Sequence, residues 1–216
     1  RVIDLHHNAP TFQPRMASLL LEALVPYLPI GVVVIGVVDP GVGTARRGIV
    51  VEASGRWFIG PDNGLFSPFF EQVSSRIHQL EKPSCAPKVL SDSFHGRDLF
   101  APAGAAITRG EPEVFGTIVT DPVQGEEGLR ESVVYVDHYG NLMSGIPCSR
   151  GLGCGGEVTI AGARVPPART FGEVRPGALF WYCNSLERIE VAAREDSAHR
   201  LLKVGLGEPL TLEPAG

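Results

Sequence analysis

The chain has 216 residues, of which 44% are hydrophobic and 20% are charged, and its formal net charge is −5. This length and apolar content are sufficient for one large domain or two modest domains with packed cores, and they argue against global disorder. The negative charge argues against a nucleic-acid partner, and the absence of a signal peptide or of any apolar run of ~18 residues argues against a membrane.

The first half of the chain mixes short apolar runs with helical patterns. Residues 3–5 are predicted to be the end of a strand, so we expect part of the N-terminus to be missing from the chain. Residues 32–38 are apolar at every position, which predicts a strand buried on both faces of an α/β sheet. The other predicted elements are an amphipathic helix over residues 15–28 that Pro26 ends or kinks, a hairpin of residues 49–53 and 57–60, a helix within residues 66–79, and a loop entering an Ala-rich helix within residues 94–108.

The second half has a different composition. Residues 120–130 are rich in Pro, Gly and acidic residues, which predicts a linker. Short strand-like segments separated by Gly and Pro clusters follow the linker, and this pattern favours a small all-β barrel or sandwich. The predicted strands are residues 132–136, 157–160, 163–165, 179–183, 188–192 and 210–212.

Two segments of the first half carry side chains suited to chemistry. Asp39 follows the apolar run, and a Pro/Gly-rich turn then leads to Arg46 and Arg47. Because ligands of α/β sheets lie outside the carboxyl ends of the strands, this acid and guanidinium predict a functional site, with a structural ion pair that closes the turn as the alternative. His95, in a loop before the Ala-rich helix, can exchange protons near neutral pH, and a helix-capping histidine is its alternative.

Two polar segments of the second half are also candidates. Asp137, Tyr139 and Asn141 follow the first strand of this half. The acid and the amide can hydrogen-bond a ribose or an amino acid, and the tyrosine can stack on a base. The alternative is an Asx-rich hairpin turn, and a turn is also the simplest interpretation of Asn184 and Ser185.

The cysteines and glycines exclude other classes of site. The four cysteines are scattered without a C-x-x-C pair, so we expect no metal site and predict reduced thiols in a cytoplasmic protein. Residues 151–156, GLGCGG, superficially resemble a dinucleotide-binding fingerprint. Because they neither follow a convincing strand nor begin a helix, we predict a flexible hairpin loop there.

Five motifs resemble, in the same order, those of the S-adenosyl-L-methionine (SAM) hydrolase family, or SAM hydroxide adenosyltransferases, relatives of the bacterial fluorinase and chlorinase: VVDPGVGTARR, GPDNG, FHGRDLFAPAGA, VDHYGN and CNSLERIEVA. The resemblance covers nearly the whole chain. It implies an α/β N-terminal domain with a mostly parallel sheet over residues 1–119, without its first strand, a linker over 120–130, and a C-terminal β-barrel domain over 131–216. It also implies a homotrimer, with active sites between the N-terminal domain of one subunit and the C-terminal domain of the next.

The resemblance further implies the chemistry of the site. Asp39, Arg46 and His95 match the family's catalytic triad, in which water activated as hydroxide attacks the ribose C5′ of SAM and releases adenosine and L-methionine without a cofactor. The halogenases carry no acid at the position of Asp39, so this residue favours water over halide as the nucleophile. The expected substrate contacts are Thr11, Phe94, Asp137, Tyr139, Asn141, Phe171, Asn184, Ser185 and Ala193.

Two alternatives stay open: a halide-dependent SAM halogenase and a non-catalytic SAM- or adenosine-binding protein. The chain also departs from the family pattern in three places. It lacks the T-D-F-G-like motif whose acid holds the ribose hydroxyls, it has Ser144 and Gly145 where a T-N pair is usual, and it has Tyr139 where Phe is usual. We therefore expect the ribose contact and the first strand of the sheet to be missing.

Overall fold

Two units, each with its own sheet structure, form the chain. The computed structural model describes residues 1–148 and 156–213. The first unit comprises residues 1–18 and 25–125, and the second comprises residues 19–24 and 126–216. Helix α1 (Pro14–Leu24) begins in the first unit and ends in the second, and a 3₁₀ turn with Pro26 at its centre follows it.

The first unit contains one five-stranded mixed sheet, in the order β1-β3-β2-β4-β5. Only β1 and β3 are parallel within this sheet, and every other pair is antiparallel. The prediction of an α/β domain with a mostly parallel sheet was therefore wrong. The two-residue turn at Ser54 and Gly55, both with positive φ, returns the chain directly and makes β2 and β3 antiparallel. The strands are β1 (Val33–Ile35), β2 (Gly48–Ala53), β3 (Arg56–Pro61), β4 (Arg76–Leu80) and β5 (Phe115–Ile118).

Strand β1 is shorter and more exposed than its sequence predicts. It pairs within the described sheet only with β3, as an edge strand, and Ile35 is 43% exposed. The prediction of a strand buried on both faces was wrong, because the apolar run of residues 32–38 extends beyond the three residues that pair with β3. The segment that follows β1 leads without regular structure to Asp39.

The helix predicted within residues 66–79 was also wrong. This segment contains a 3₁₀ turn (Ser67–Phe69) and then strand β4. Phe66 and Phe69 are fully buried and both contact Phe58, whose ring stacks on that of Phe69 with centroids 4.2 Å apart. Their helical spacing therefore reflects an aromatic cluster inside the unit rather than a helix.

The predicted Ala-rich helix is confirmed as α2 (Ala101–Thr108), which packs against the sheet. Gly104 allows the close approach, because an added Cβ would lie 2.9 Å from Cδ1 of Ile35 on β1. Phe100 precedes the helix and is fully buried in the same core as Val50 and Ile59. This packing fixes the position of the segment just before α2, which contains His95.

The second unit contains two separate antiparallel sheets. One has the order β10-β11-β7-β6 and the other the order β12-β8-β9. The predicted β-barrel was wrong: in the described residues only single bridges, Ser132 to Pro209 and Pro167 to Trp181, join the two sheets, so no ladder closes them. One buried cluster nevertheless contains residues of both sheets. The elements are β6 (Val133–Val136), β7 (Leu142–Pro147), β8 (Glu157–Ile160), β9 (Ala163–Val165), β10 (Leu179–Cys183), β11 (Arg188–Ala193), α3 (Ala198–Leu202) and β12 (Leu210–Glu213).

Two cysteines of this unit form a disulfide. Cys148 and Cys183 are joined, with their Cα atoms 6.0 Å apart and a sequence separation of 35. The prediction of reduced thiols was wrong for this pair, and Cys85 is free and exposed. Sequence spacing did not show the pairing, because β7 and β10 are brought together only by the strand β11 between them. Cys154 and the rest of residues 151–155, predicted as a loop, lie outside the described residues.

Opening this disulfide is expected to destabilise the second unit. Replacing Cys148 and Cys183 together by Ser removes a cross-link that restricts the unfolded chain, and we expect the free energy of unfolding to fall by about 2–4 kcal/mol. Urea denaturation followed by circular dichroism measures the change. Cys85→Ser is the control, and it should leave the midpoint unchanged. An equal midpoint for the double variant and the wild type would contradict the expectation.

Helices of the described residues are short. The longest α-helix, α1, has 11 residues, and none of the helices in residues 1–148 and 156–213 combines the length and apolar character that crossing a bilayer requires.

Candidate active site

An acid and an arginine meet in the first unit. Asp39 follows β1, and a turn stabilised by a 2.7 Å hydrogen bond from Thr44 Oγ1 to the Gly41 carbonyl carries the chain to Arg46. The Nε of Arg46 donates to both carboxylate oxygens of Asp39 at 3.0 Å each, and Nη2 also donates to Oδ2. The side chain of Arg46 is only 10% exposed and that of Asp39 only 5%, so water screens this ion pair weakly.

The same guanidinium contacts His95. Nη2 of Arg46 lies 2.9 Å from Nδ1 of His95. An arginine has only donors, so Nδ1 must accept this hydrogen bond and carry no proton. A neutral His95 therefore has its proton on Nε2, and this group is a hydrogen-bond donor.

Phe100 lies beneath these side chains. The Arg46 Cζ is 5.3 Å from the centroid of the Phe100 ring, and the His95 ring meets it edge-on at 6.5 Å. A guanidinium over an aromatic face is attracted by the ring quadrupole, which fixes Arg46 from below. The structure thus brings together Asp39, Arg46 and His95, the three residues predicted for the catalytic set.

The loop before His95 is held by Asp98. This buried carboxylate accepts from Arg97 Nε at 2.6 Å and Nη2 at 3.0 Å, and from the backbone N–H of Ser91 at 2.9 Å. These bonds lower the pKa of Asp98 to about 2, with the Arg97 side chain as the largest cause. Arg97 also lies over the ring of Phe94, 5.0 Å from its centroid. We call Ser91, Arg97 and Asp98 the loop clamp, since they tie together both sides of the segment that contains His95.

Replacing Asp98 with Asn should loosen this segment. The amide has no charge and one acceptor oxygen where the carboxylate has two, so we expect amide exchange at Ser91 to rise by about 10- to 100-fold, which corresponds to one lost charge-assisted hydrogen bond. Hydrogen–deuterium exchange measures this change, and Asp92→Asn, at an exposed neighbouring position, should leave the exchange unaltered.

The pH dependence of the clamp follows from the lowered pKa. A folded-state pKa below the ordinary value of 3.8 contributes stability above that value and loses it as the pH falls towards 2. The protection factor of the Ser91 amide, the slowing of its exchange relative to an unfolded chain at the same pH, should therefore fall over this acidic range in the wild type but not in Asp98→Asn. Equal exchange in wild type and variant at pH 7 would show that the clamp does not hold the loop.

A cleft of about 1060 Å³ lies in the second unit. Four Tyr or Phe side chains and four acidic side chains are among those that line it, and they suit a flat base and a positive charge. All seven of the predicted substrate contacts of this unit line the cleft: Asp137, Tyr139, Asn141, Phe171, Asn184, Ser185 and Ala193.

The Asp137 segment is an ordered Asx turn at the cleft. Asp137 accepts from the backbone N–H groups of Tyr139 and Asn141 and from the Asn141 side-chain amide, each at 2.9 Å. The segment is therefore an Asx turn, as the alternative interpretation predicted, and it also lines the cleft. Gly140 is required by the turn, because its φ is +84° and an added Cβ would lie 2.0 Å from Ser197 Oγ.

The side chain of Asn184 similarly closes a hairpin. Its Oδ1 accepts from the backbone N–H groups of Leu186 at 2.9 Å and Arg188 at 3.0 Å, while Nδ2 donates to Glu190 at 2.8 Å. Two further residues that line the cleft, Glu190 and Tyr182, were not among the predicted contacts. The signal for Glu190 was an acid inside the otherwise apolar run of residues 189–193.

Thr11 and Phe94 are the predicted contacts that the structure leaves outside this cleft. Both lie in the first unit, where Thr11 is exposed and Phe94 is 58% exposed against Arg97. Ser144, which stands where the family usually has the Thr of a T-N pair, does not line the cleft. It is fully buried and its hydroxyl donates to the Ile189 carbonyl at 3.0 Å.

The chain is similar in sequence to proteins of one family along most of its length. Residues 1–116 match the family model of the SAM hydroxide adenosyltransferase N-terminal domain, and residues 131–211 match that of the C-terminal domain. The chain is 40% identical over 227 aligned positions to the (R)-S-adenosyl-L-methionine hydrolase of Thermus thermophilus, which covers 98% of this chain and 87% of that protein. It is 35% identical over 232 positions to the protein of the same name from Salinispora arenicola, covering 97% and 85%.

Solved structures similar to this chain include proteins of two thermophiles. A conserved protein of Thermotoga maritima has a TM-score of 0.84 and 28% identity, and the match covers 98% of this chain and 88% of that chain. A conserved protein of Thermus thermophilus has a TM-score of 0.79 and 37% identity, covering 98% and 87%.

Proposed function

Because the chain belongs to the SAM hydroxide adenosyltransferase family, we propose that it hydrolyses S-adenosyl-L-methionine to adenosine and L-methionine, with Asp39, Arg46 and His95 at the reaction centre. The observation that carries the assignment of these residues is the contact of one guanidinium with both a buried carboxylate and a histidine ring. The names of the similar proteins support the (R)-sulfonium epimer of SAM as the substrate.

The proposed reaction is a displacement at carbon. The oxygen of water or hydroxide bonds to the ribose C5′, the C5′–S bond breaks with its electron pair passing to sulfur, and L-methionine leaves as a neutral thioether. One proton is released to solution for each SAM consumed, which balances the loss of the sulfonium charge. Because the sulfonium is already a good leaving group, the protein mainly has to align the nucleophile and exclude other water.

Each residue of the set has a distinct role in this proposal. Asp39 fixes Arg46 by a two-oxygen contact, and Arg46 fixes His95 through Nδ1. The donor Nε2–H of His95 then holds the attacking oxygen and leaves its lone pair for C5′. The negative charge of Asp39 disfavours a halide at the same place, which makes the halogenase alternative the weaker one.

The experiment that tests the function follows the oxygen atom. The protein is incubated with (R)-SAM in ¹⁸O-labelled water, with and without chloride or fluoride, and the products are separated by chromatography and weighed by mass spectrometry. We expect adenosine labelled at its 5′-hydroxyl, equimolar L-methionine, and no change on adding halide. A 5′-halogenated product would support the halogenase, and SAM bound without turnover would support a binding protein; either result overturns the proposal.

The resemblance also supports a homotrimer, in which the triad of one subunit acts on SAM held by the cleft of the next. Sedimentation equilibrium should then give the mass of three 23.1-kDa chains. We place the protein in the cytoplasm, where SAM is made. Cytoplasmic disulfides are uncommon, so thiol labelling of Cys148 and Cys183 in intact cells is part of testing that placement.

A further inference from the structure

Glu190 is a buried acidic residue of the cleft. It lies on β11, is 8% exposed and contributes to the cleft lining. Its neighbours across the sheet are Tyr182 on β10 and Met143 on β7. Glutamates are almost never this buried unless they are paired, so the partners of Glu190 decide what it does.

The partners of Glu190 are neutral. One carboxylate oxygen accepts from the hydroxyl of Tyr182, and the other accepts from Nδ2 of Asn184 at 2.8 Å. No Lys, Arg or His of the described residues forms an ion pair with it. The carboxylate of Asp137 acts on it as a second negative charge.

Two other acids at the same cleft, Glu195 and Asp196, differ in this respect. Glu195 forms an ion pair with Arg194 at 3.2 Å, and Asp196 forms one with Arg200. Each of these charges is compensated within the chain. Glu190 thus combines burial, a position at the cleft and an uncompensated charge, which is a costly arrangement for the free protein.

We propose that Glu190 is a specificity-determining residue whose carboxylate is compensated by a positive charge of the bound substrate. The inference rests on the proposed function, because SAM carries two such charges, the sulfonium and the α-ammonium. A carboxylate in a partly dehydrated cleft attracts a cation much more strongly than bulk water allows. A neutral thioether of the same shape gains no such attraction, so Glu190 raises the affinity for SAM relative to that for uncharged nucleosides.

The ionisation of Glu190 supports this role. Burial raises the pKa of Glu190 above the ordinary 4.5, Asp137 raises it further, and the bonds from Tyr182 and Asn184 oppose the shift. An acid with a raised folded-state pKa favours folding below pH 4.5 and loses that contribution as the pH rises through the raised value. In its ionised form Glu190 therefore costs stability in the free protein, and we expect Glu190→Gln not to lower the melting temperature.

The test compares three probes that contain adenosine and do not react. Sinefungin has an amine cation near the sulfonium position and an α-ammonium, S-adenosyl-L-homocysteine has only the α-ammonium as a cation, and 5′-deoxy-5′-methylthioadenosine is neutral. Isothermal titration calorimetry gives their affinities for wild type and Glu190→Gln. We expect the variant to lose about 10- to 100-fold in affinity for sinefungin, as for a lost hydrogen bond to a charged group, and less than about threefold for the neutral probe.

The second cationic probe shows which charge Glu190 binds. An equal loss for S-adenosyl-L-homocysteine identifies the α-ammonium, and an undiminished affinity identifies the sulfonium; both support the proposal. Tyr182→Phe keeps the carboxylate and removes one donor, so it should retain the preference for cations. Glu157→Gln, on β8 and outside the cleft, removes an acid that is already paired with Arg164 and should bind all three probes like the wild type.

Three results would overturn the proposal. An equal loss of affinity for all three probes in Glu190→Gln would mean that Glu190 only shapes the cleft. The proposal would also fail if the variant lost affinity for no probe, or if the wild type bound none of them. These results are separate from the proposed function. A wild type that prefers the cationic probes but releases no adenosine would overturn the hydrolase assignment and leave the role of Glu190 intact.

Discussion

Replacing Asp39 with Asn is expected to lower the rate of adenosine formation by about 10³-fold, the middle of the range for a residue that organises proton chemistry at a reaction centre. The amide offers one acceptor where the carboxylate offers two, and it places N–H groups against the guanidinium of Arg46. Arg46 then no longer holds His95 at Nδ1. The measurement is kcat by chromatography of adenosine at saturating SAM.

Asp62→Asn is a matched control for this change. Asp62 is as buried as Asp39 and accepts from the neighbouring arginine, Arg47, at 2.7 Å and 3.1 Å, and from the backbone N–H of Val123 at 2.8 Å. Its replacement should lower the melting temperature while kcat per folded protein stays within about threefold of the wild type. Equal losses of kcat for both variants would mean that Asp39 has only a structural role.

The second large effect is expected at His95, where two variants distinguish the role of Nδ1 from that of Nε2. His95→Gln can place an amide N–H near the position of Nε2 but loses the acceptor for Arg46, whereas His95→Asn keeps an acceptor near Nδ1 and loses the donor. If Nε2–H holds the attacking oxygen, Asn lowers kcat by about 10²- to 10³-fold, as expected for a lost donor at a reacting oxygen. The Gln variant should keep at least about tenfold more activity than the Asn variant.

The protonation of His95 can be measured without turnover. Nitrogen-15 NMR of the imidazole at pH 7.5 should show Nδ1 without a proton and Nε2 with one, because Arg46 can only donate to Nδ1. A proton on Nδ1, or equal loss of kcat in the Gln and Asn variants, would contradict the donor role. In that case His95 would act as a proton acceptor through Nε2.

The predicted family is confirmed, and much of the candidate site followed from motifs that are local in sequence. Asp39 and Arg46 are separated by one turn, and the cleft residues around Asp137 and Asn184 lie in two short turns, so their proximity needs few long-range contacts. Glu190 was not predicted, because a single acid in an apolar strand does not reveal which face of the sheet it occupies. The roles of the site residues stay predictions until the variants are measured.

The fold was harder to predict where tertiary contacts override the local pattern. The hairpin at Ser54 and helix α2 were predicted because the two-residue turn and the alanine run are local signals. The order of the sheet, with β3 between β1 and β2, depends on pairing across distant segments and reversed the expected strand directions. Strand β7 was missed because its Ser, Gly and Pro disfavour strands, although burial against β6 and β11 stabilises it.

Arg46 and Arg47 are adjacent, yet one contacts Asp39 and His95 while the other contacts Asp62 and Asp121. Successive side chains of an extended chain point to opposite sides, so the register of β2, which begins one residue after Arg47, decides which arginine faces His95. A slip of β2 by one residue would exchange the two arginines even though every motif residue remained. The pairing of β2 with β3 and β4 therefore constrains this site as strictly as its motif residues do.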